Sequence, residues 1–201
     1  MNKAEEICEA LNLDYSKILN IYNYGSVVYG TNDEYSDEDY IIVFKSSLLP
    51  SGAFKDNAIS SDDRMIQGIC YSRSGFIDAI NNYEIGALEC LFLPNDKIIQ
   101  NKWCFGITKW NDKEFAKKII TKSSSSWYFA TLAYNDGNIP YVMKNIFHAL
   151  RILEFAIQIK ENKKIVNYSS CNKLLTEIYN NYNIRPNDYY MKFIELQKKL
   201  K

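Results

Sequence analysis

Ser36-Asp37-Glu38-Asp39, followed by Tyr40-Ile41-Ile42-Val43-Phe44, sets two carboxylates two positions apart at the head of a β-rich apolar run. Alternate side chains of a strand share a face, so Asp37 and Asp39 point one way and Glu38 the other. Upstream, Gly25-Ser26 closes a second β-like run, Ile18 to Tyr24. A small-residue turn is thereby set opposite a carboxylate pair. Hard Mg²⁺ is held by one or two carboxylates plus substrate phosphates, and a Gly-Ser turn lets phosphate oxygens reach backbone N–H groups and a hydroxyl. The segment Asn32 to Asp37 taken alone also reads as an ordinary solvated turn, since Asn, Asp and Ser favour turns. The Gly-Ser element is what tips the reading toward phosphate chemistry.

Gly25-Ser26-Val27-Val28-Tyr29-Gly30-Thr31 followed by Ser36-Asp37-Glu38-Asp39 resembles the Gly-Ser…Asp-x-Asp motif of the DNA polymerase beta-like nucleotidyltransferase superfamily. The fuller Gly-Ser-x-x-Tyr-Gly-Thr form is similar to the predicted nucleotidyltransferases of bacteria, phages and large viruses, some of them linked to RNA repair. The resemblance implies an α+β nucleotidyltransferase fold, a small mixed sheet with flanking helices and a helical C-terminal lobe. It also implies that Asp37 and Asp39 are catalytic metal ligands for Mg²⁺ or Mn²⁺, acting in the two-metal manner, and that Gly25 and Ser26 contact the phosphates of an NTP.

Neither length nor composition conflicts with that picture. The 201 residues are enough for one domain or two small lobes, and 47% hydrophobic residues exclude a disordered chain. Lys plus Arg equals Asp plus Glu at 24 each, so no global charge draws the chain to nucleic acid or membrane. Cys8, Cys70, Cys90, Cys104 and Cys171 are scattered without metal-ligand spacing and read as reduced, mostly buried thiols. The acidic start, Met1 to Glu6, does not read as a signal peptide, and no run approaches the roughly 18 apolar residues of a membrane span. The expectation is a soluble cytoplasmic protein with no membrane partner and no strong DNA-binding signal.

Along the chain, hydrophobic periodicity predicts a short helix over 4–11, strands over 17–24 and 38–45, and a loop or lid over 48–63. A strand over 65–71, a helix over 72–82 capped by Ser72, a helix over 84–92 and an edge strand over 97–101 follow. From Trp110 the period is helical, giving 112–121, 124–136, 140–161, 169–180 and 186–201, with Pro140 and Pro186 in first turns. The boundary is drawn as a core over 1–107 and a helical lobe over 108–201, packed on the core.

Lys144, His148 and Arg151 recur at i, i+4 and i+7 and form one stripe on the long helix, opposite Ile146, Ala149, Leu150, Leu153 and Ile157. Such a stripe is also what a solvated helix face looks like. Lys-x-x-x-His-Ala-Leu-Arg on a late helix, however, resembles the same nucleotidyltransferases, which implies that the three residues steady the triphosphate tail. The segment Leu88-Glu89-Cys90-Leu91-Phe92 extends the likeness, with Glu89 read either as an active-site acid or as a local structural partner.

One departure matters. Active enzymes of this superfamily commonly add a third carboxylate from a later strand, where this chain carries Gln67 and Gly68. A neutral amide ligates Mg²⁺ less strongly and cannot deprotonate a nucleophile. Asp62, Asp63, Glu38, Glu84 and Glu89 are the candidate substitutes. Two functions follow: NMP transfer from an NTP to a hydroxyl acceptor (an RNA end, a protein or a small molecule) with release of pyrophosphate, or a catalytically weakened nucleotide sensor or antitoxin-like binding partner. Neutral net charge disfavours a long nucleic-acid acceptor. His148 is the sole histidine, and Gly-x-Ser-x-Gly, P-loop and Gly-x-Gly-x-x-Gly signatures are lacking.

Overall fold

The computed structural model describes residues 1–46, 49 and 58–201. The chain is α+β and divides into two compact units, Met1–Lys109 and Trp110–Lys201. In the first, strands β1 (Ile18–Tyr24), β2 (Glu38–Phe44), β3 (Ala58–Ser60), β4 (Ile66–Tyr71) and β5 (Ile98–Asn101) form one mixed sheet in the order β3-β4-β2-β1-β5. Only the β2–β4 pair is parallel. The carboxylate-bearing strand therefore lies at the centre of the sheet.

Helix α1 (Lys3–Ala10) starts with a capping box: Asn2 accepts from the Glu5 N–H and Glu5 accepts from the Asn2 N–H, each at 3.0 Å. It lays Ala4, Ile7, Cys8 and then Leu11 against Ile18, Tyr40, Ile42 and Phe44 on one face of the sheet. The other face carries Tyr22 and Tyr71, which pack on Phe76 of α3 (Arg73–Asn81) at ring distances of 5.9 and 5.5 Å. Ser72 caps α3 by accepting from the Gly75 N–H. Helices α2 (Ser26–Tyr29) and α4 (Ile85–Leu91) complete this unit.

The second unit is helical: α5 (Asp112–Asn135), α6 (Ile139–Asn162), α7 (Asn172–Tyr179) and α8 (Pro186–Leu200). Proline falls in the first turn of α6 and α8, where its missing N–H costs nothing. The sequence pattern broke α5 in two at the serine run, yet α5 is continuous. Ser123, Ser125 and Ser126 turn their hydroxyls back onto the carbonyls of Ile120, Thr121 and Lys122, so they satisfy themselves within the helix rather than ending it. The loop read over 48–63 is corrected at its end by β3, which pairs with β4. The rest of that reading, apart from residues 49 and 58–63, lies outside the described residues.

Among the described residues no helix is long and apolar enough to cross a membrane. Cys8, Cys70, Cys90 and Cys171 are buried free thiols and Cys104 is exposed. Burial pushes Cys8 and Cys171 up to about 11, which keeps them protonated and poor nucleophiles.

Candidate functional site

The site in the first unit grows from one antiparallel register. Tyr24, the last residue of β1, pairs with Asp39 of β2, so the next residue, Gly25, comes to rest on the Asp39 side chain. Gly25 has φ 67° and ψ −142°, a conformation that glycine alone adopts without strain. A Cβ at this position would overlap the Asp39 carboxylate, standing 3.2 Å from its Cγ. Only a residue lacking a side chain allows this approach. Gly30 ends α2 in the left-handed conformation, with φ 70° and open space around it.

Ser26, the first residue of α2, carries a buried Oγ with no hydrogen-bond partner among the described residues. Buried hydroxyls are normally satisfied, so this one is an acceptor and donor in want of a ligand. Tyr29, one turn on, donates to Glu89 of α4 at 2.6 Å. Glu89 is 1% exposed, and its partner is therefore structural: it ties α2 to α4.

The turn reading of the preceding segment holds for part of it. Asp33 accepts from the Tyr35 N–H at 3.0 Å and the Ser36 hydroxyl at 2.9 Å, and the Ser36 bond draws its carboxyl below the usual range. Asp33 is thus spent on its own turn, whereas Asp37 is aimed elsewhere. In the parallel β2–β4 ladder Gln67 stands opposite Asp39, and its amide Nε2 donates to Asp37 Oδ2. Asp37, Asp39 and Gln67 accordingly share one face of the sheet.

Gly68, named with Gln67 in the sequence reading, belongs to the opposite face. A Cβ there would meet Ile42 and Ile59 at 3.1 Å and Leu11 at 3.5 Å, which are core side chains. Glu38 also points away: it pairs with Lys3 at 3.0 Å and accepts from Tyr40 at 2.9 Å. Asp63 accepts from Ser61 and from the Met65 N–H in a second local turn, and Glu84 accepts from Tyr71 at 3.3 Å. Among the described residues no cluster of three or more His, Cys, Asp or Glu is placed to hold a metal ion. A cavity of about 420 Å³ is lined by Val27, Asp33, Ser36, Glu38, Met65 and Ile66 among others, and by none of Gly25, Ser26, Asp37, Asp39 and Gln67, so it opens on the Glu38 side of the strand and not on the carboxylate face.

No family model matches this chain, and no curated protein matches it either.

The remaining candidate residues lie on α6 in the second unit. Ile146, Ala149, Leu150 and Leu153 are buried as the periodicity requires, but so is Arg151, at 4% exposure. Its guanidinium lies 3.1 Å from His148 Nδ1 and 5.5 Å from the Phe155 ring centroid. Guanidinium only donates, so Nδ1 is the acceptor and the imidazole proton sits on Nε2. Burial first, then the charges of Arg151, Lys122 and Lys144, depress the His148 pKa to about 3. His148 is therefore neutral, and the stripe holds two cations rather than three. Lys122 on α5 adds a third positive charge that the stripe on one helix did not reveal. Only the pairing of α5 with α6 shows it.

Proposed function

We propose that this chain is a divalent-metal-dependent nucleotidyltransferase of polymerase beta-like fold, moving an NMP from an NTP to a hydroxyl acceptor and releasing pyrophosphate. One observation carries the reading. The Asp39 carboxylate rests on Gly25 while the adjacent Ser26 hydroxyl is buried and lacks a hydrogen-bond partner among the described residues. A carboxylate, a bare backbone and an unsatisfied hydroxyl gathered at one turn suit a metal-bound phosphate better than they suit a structural turn.

Two carboxylates on one face, Asp37 and Asp39, match the protein share that Mg²⁺ or Mn²⁺ ordinarily takes, with phosphates and water completing the shell. When bound, the ion neutralises phosphate charge and lowers the pKa of the acceptor hydroxyl. The chain's own part is to hold Asp39 on a central strand with Asp37 just before it, to let phosphate oxygens approach at Gly25, and to offer them the Ser26 hydroxyl. Lys144 and Arg151 are cations of the type that meets a triphosphate tail, with His148 a neutral N–H donor. The test is label transfer from α-labelled NTP in Mg²⁺ or Mn²⁺. The wild-type chain should release pyrophosphate, and D37A and D39A should not.

The Gln67 amide on Asp37 supports a second reading, a nucleotide-binding sensor or partner-binding module with little turnover. Tight metal-dependent NTP binding without pyrophosphate release would select it.

A further inference from the structure

We infer that Gln67 is the positioning residue of this site, and that its neutral amide limits the nucleotide-free protein to one divalent ion. The inference rests on the metal-binding reading of Asp37 and Asp39 and adds what decides its stoichiometry.

The backbone leaves residue 67 little choice of direction. Its neighbours in the ladder are Asp39 on β2 and Ser60 on β3, and Gly68 beside it is packed under Ile42, Ile59 and Leu11. A slip of one residue would drive the amide into that apolar core and expose the core positions, so the face is fixed. From there Nε2 donates to Asp37 Oδ2 and also approaches the Arg64 carbonyl at 3.5 Å. The bond orients the Asp37 carboxylate, which stands just before β2 and has no ladder of its own to hold it.

Charge counting gives the second half. Asp37 and Asp39 supply two negative charges, which one divalent ion balances. A second ion would bring two more positive charges to a site whose third side chain is uncharged. A carboxylate at position 67 would sit against Asp37 with no proton to donate, and three gathered carboxylates would call for more cation. Gln67 thus keeps the metal-free pair quiet at the cost of a weaker, single-ion site.

The experiment is Mn²⁺ titration of the full chain without nucleotide, by calorimetry and by Mn²⁺ paramagnetic resonance, for wild type, Q67E and Q67L. Wild type and Q67L should bind at most one ion. Q67E should bind at least about tenfold more tightly or take up a second ion, since affinity follows ligand charge. Its melting temperature should fall below wild type in chelator and recover with Mn²⁺, a response that a merely structural glutamine would not give. A wild type that binds one ion with Q67E indistinguishable from it overturns the inference and leaves the nucleotidyltransferase reading standing. Two ions on the wild type overturn it as well. Binding by Q67E alone overturns the inference together with the metal-dependent reading, because a natural chain that takes no ion has no single-ion site for Gln67 to position, and binding by neither protein ends both as well.

Discussion

The carboxylates at the head of β2 and the basic stripe of α6 look alike in the sequence, as polar groups at a regular spacing beside an apolar run, yet they end in opposite environments. Asp39 meets a bare glycine, next to which Ser26 carries a buried hydroxyl with no partner among the described residues, while Arg151 is buried against His148 and Phe155. The pleat of a strand fixes which side chains share a face, and the register with two neighbours fixes what they face. A helical stripe fixes direction only. How deeply the stripe is buried depends on the helices packed around it, and that depth turned His148 from a candidate cation into a neutral ring.

The sharpest break in the comparison is at Gly25. Gly25→Ala forces a side chain into a conformation reserved for glycine and onto the Asp39 carboxylate. We expect a loss of about 3 kcal/mol or more in chemical denaturation, together with loss of NTP binding. In the helical unit the equivalent probe is Gln158, whose side chain donates to the Asn167 carbonyl and Ser170 and accepts from the Val166 and Asn167 N–H groups. This is a polar group fully spent on structure. Gln158→Leu should cost about 1–3 kcal/mol by orphaning those groups and leave NTP affinity, relative to folded protein, unchanged.

His148 gives a pH signature to the buried stripe. Its folded pKa is depressed to about 3 from an ordinary 6.5, so the unfolded chain binds the extra proton between those values. The stability it contributes is complete above pH 6.5 and is lost as pH falls toward 3. Wild type should lose stability with a His148 contribution approaching about 1.4 kcal/mol per pH unit within that window. His148→Gln, followed by urea melts at pH 7, 6, 5 and 4, should flatten that slope. The smallest effect is expected at Gly30, where a left-handed φ of 70° meets no neighbour. Gly30→Ala should cost only about 1 kcal/mol, and its contrast with Gly25→Ala separates an ordinary left-handed glycine from one held by both a glycine-only conformation and the approach to Asp39.

Much of the fold was legible because its signals are local. The continuous apolar run of β2, the Gly-Ser turn, the Ser72 cap and the two first-turn prolines each act within a few residues. The serine run misled because a serine that bonds back onto its own helix looks, in sequence, like one that ends it. Asp37, Asp39 and the Gly25 turn could be placed together from spacing. Gln67 and Gly68 could be separated only by the parallel register with β2, and Lys122 could be joined to the His148 cluster only by helix pairing. Those are long-range facts with no signature within either segment.

Binding tests the central claim most directly, without assuming an acceptor. A non-hydrolysable NTP titrated into the 201-residue chain by calorimetry should bind in Mn²⁺ and lose that affinity in chelator. D39N, which keeps the side chain's shape against Gly25 but removes its charge, should melt like the wild type and show no metal-dependent NTP binding. Unchanged Mn²⁺-dependent affinity in D39N would contradict the assignment of this carboxylate pair as a metal and nucleotide site.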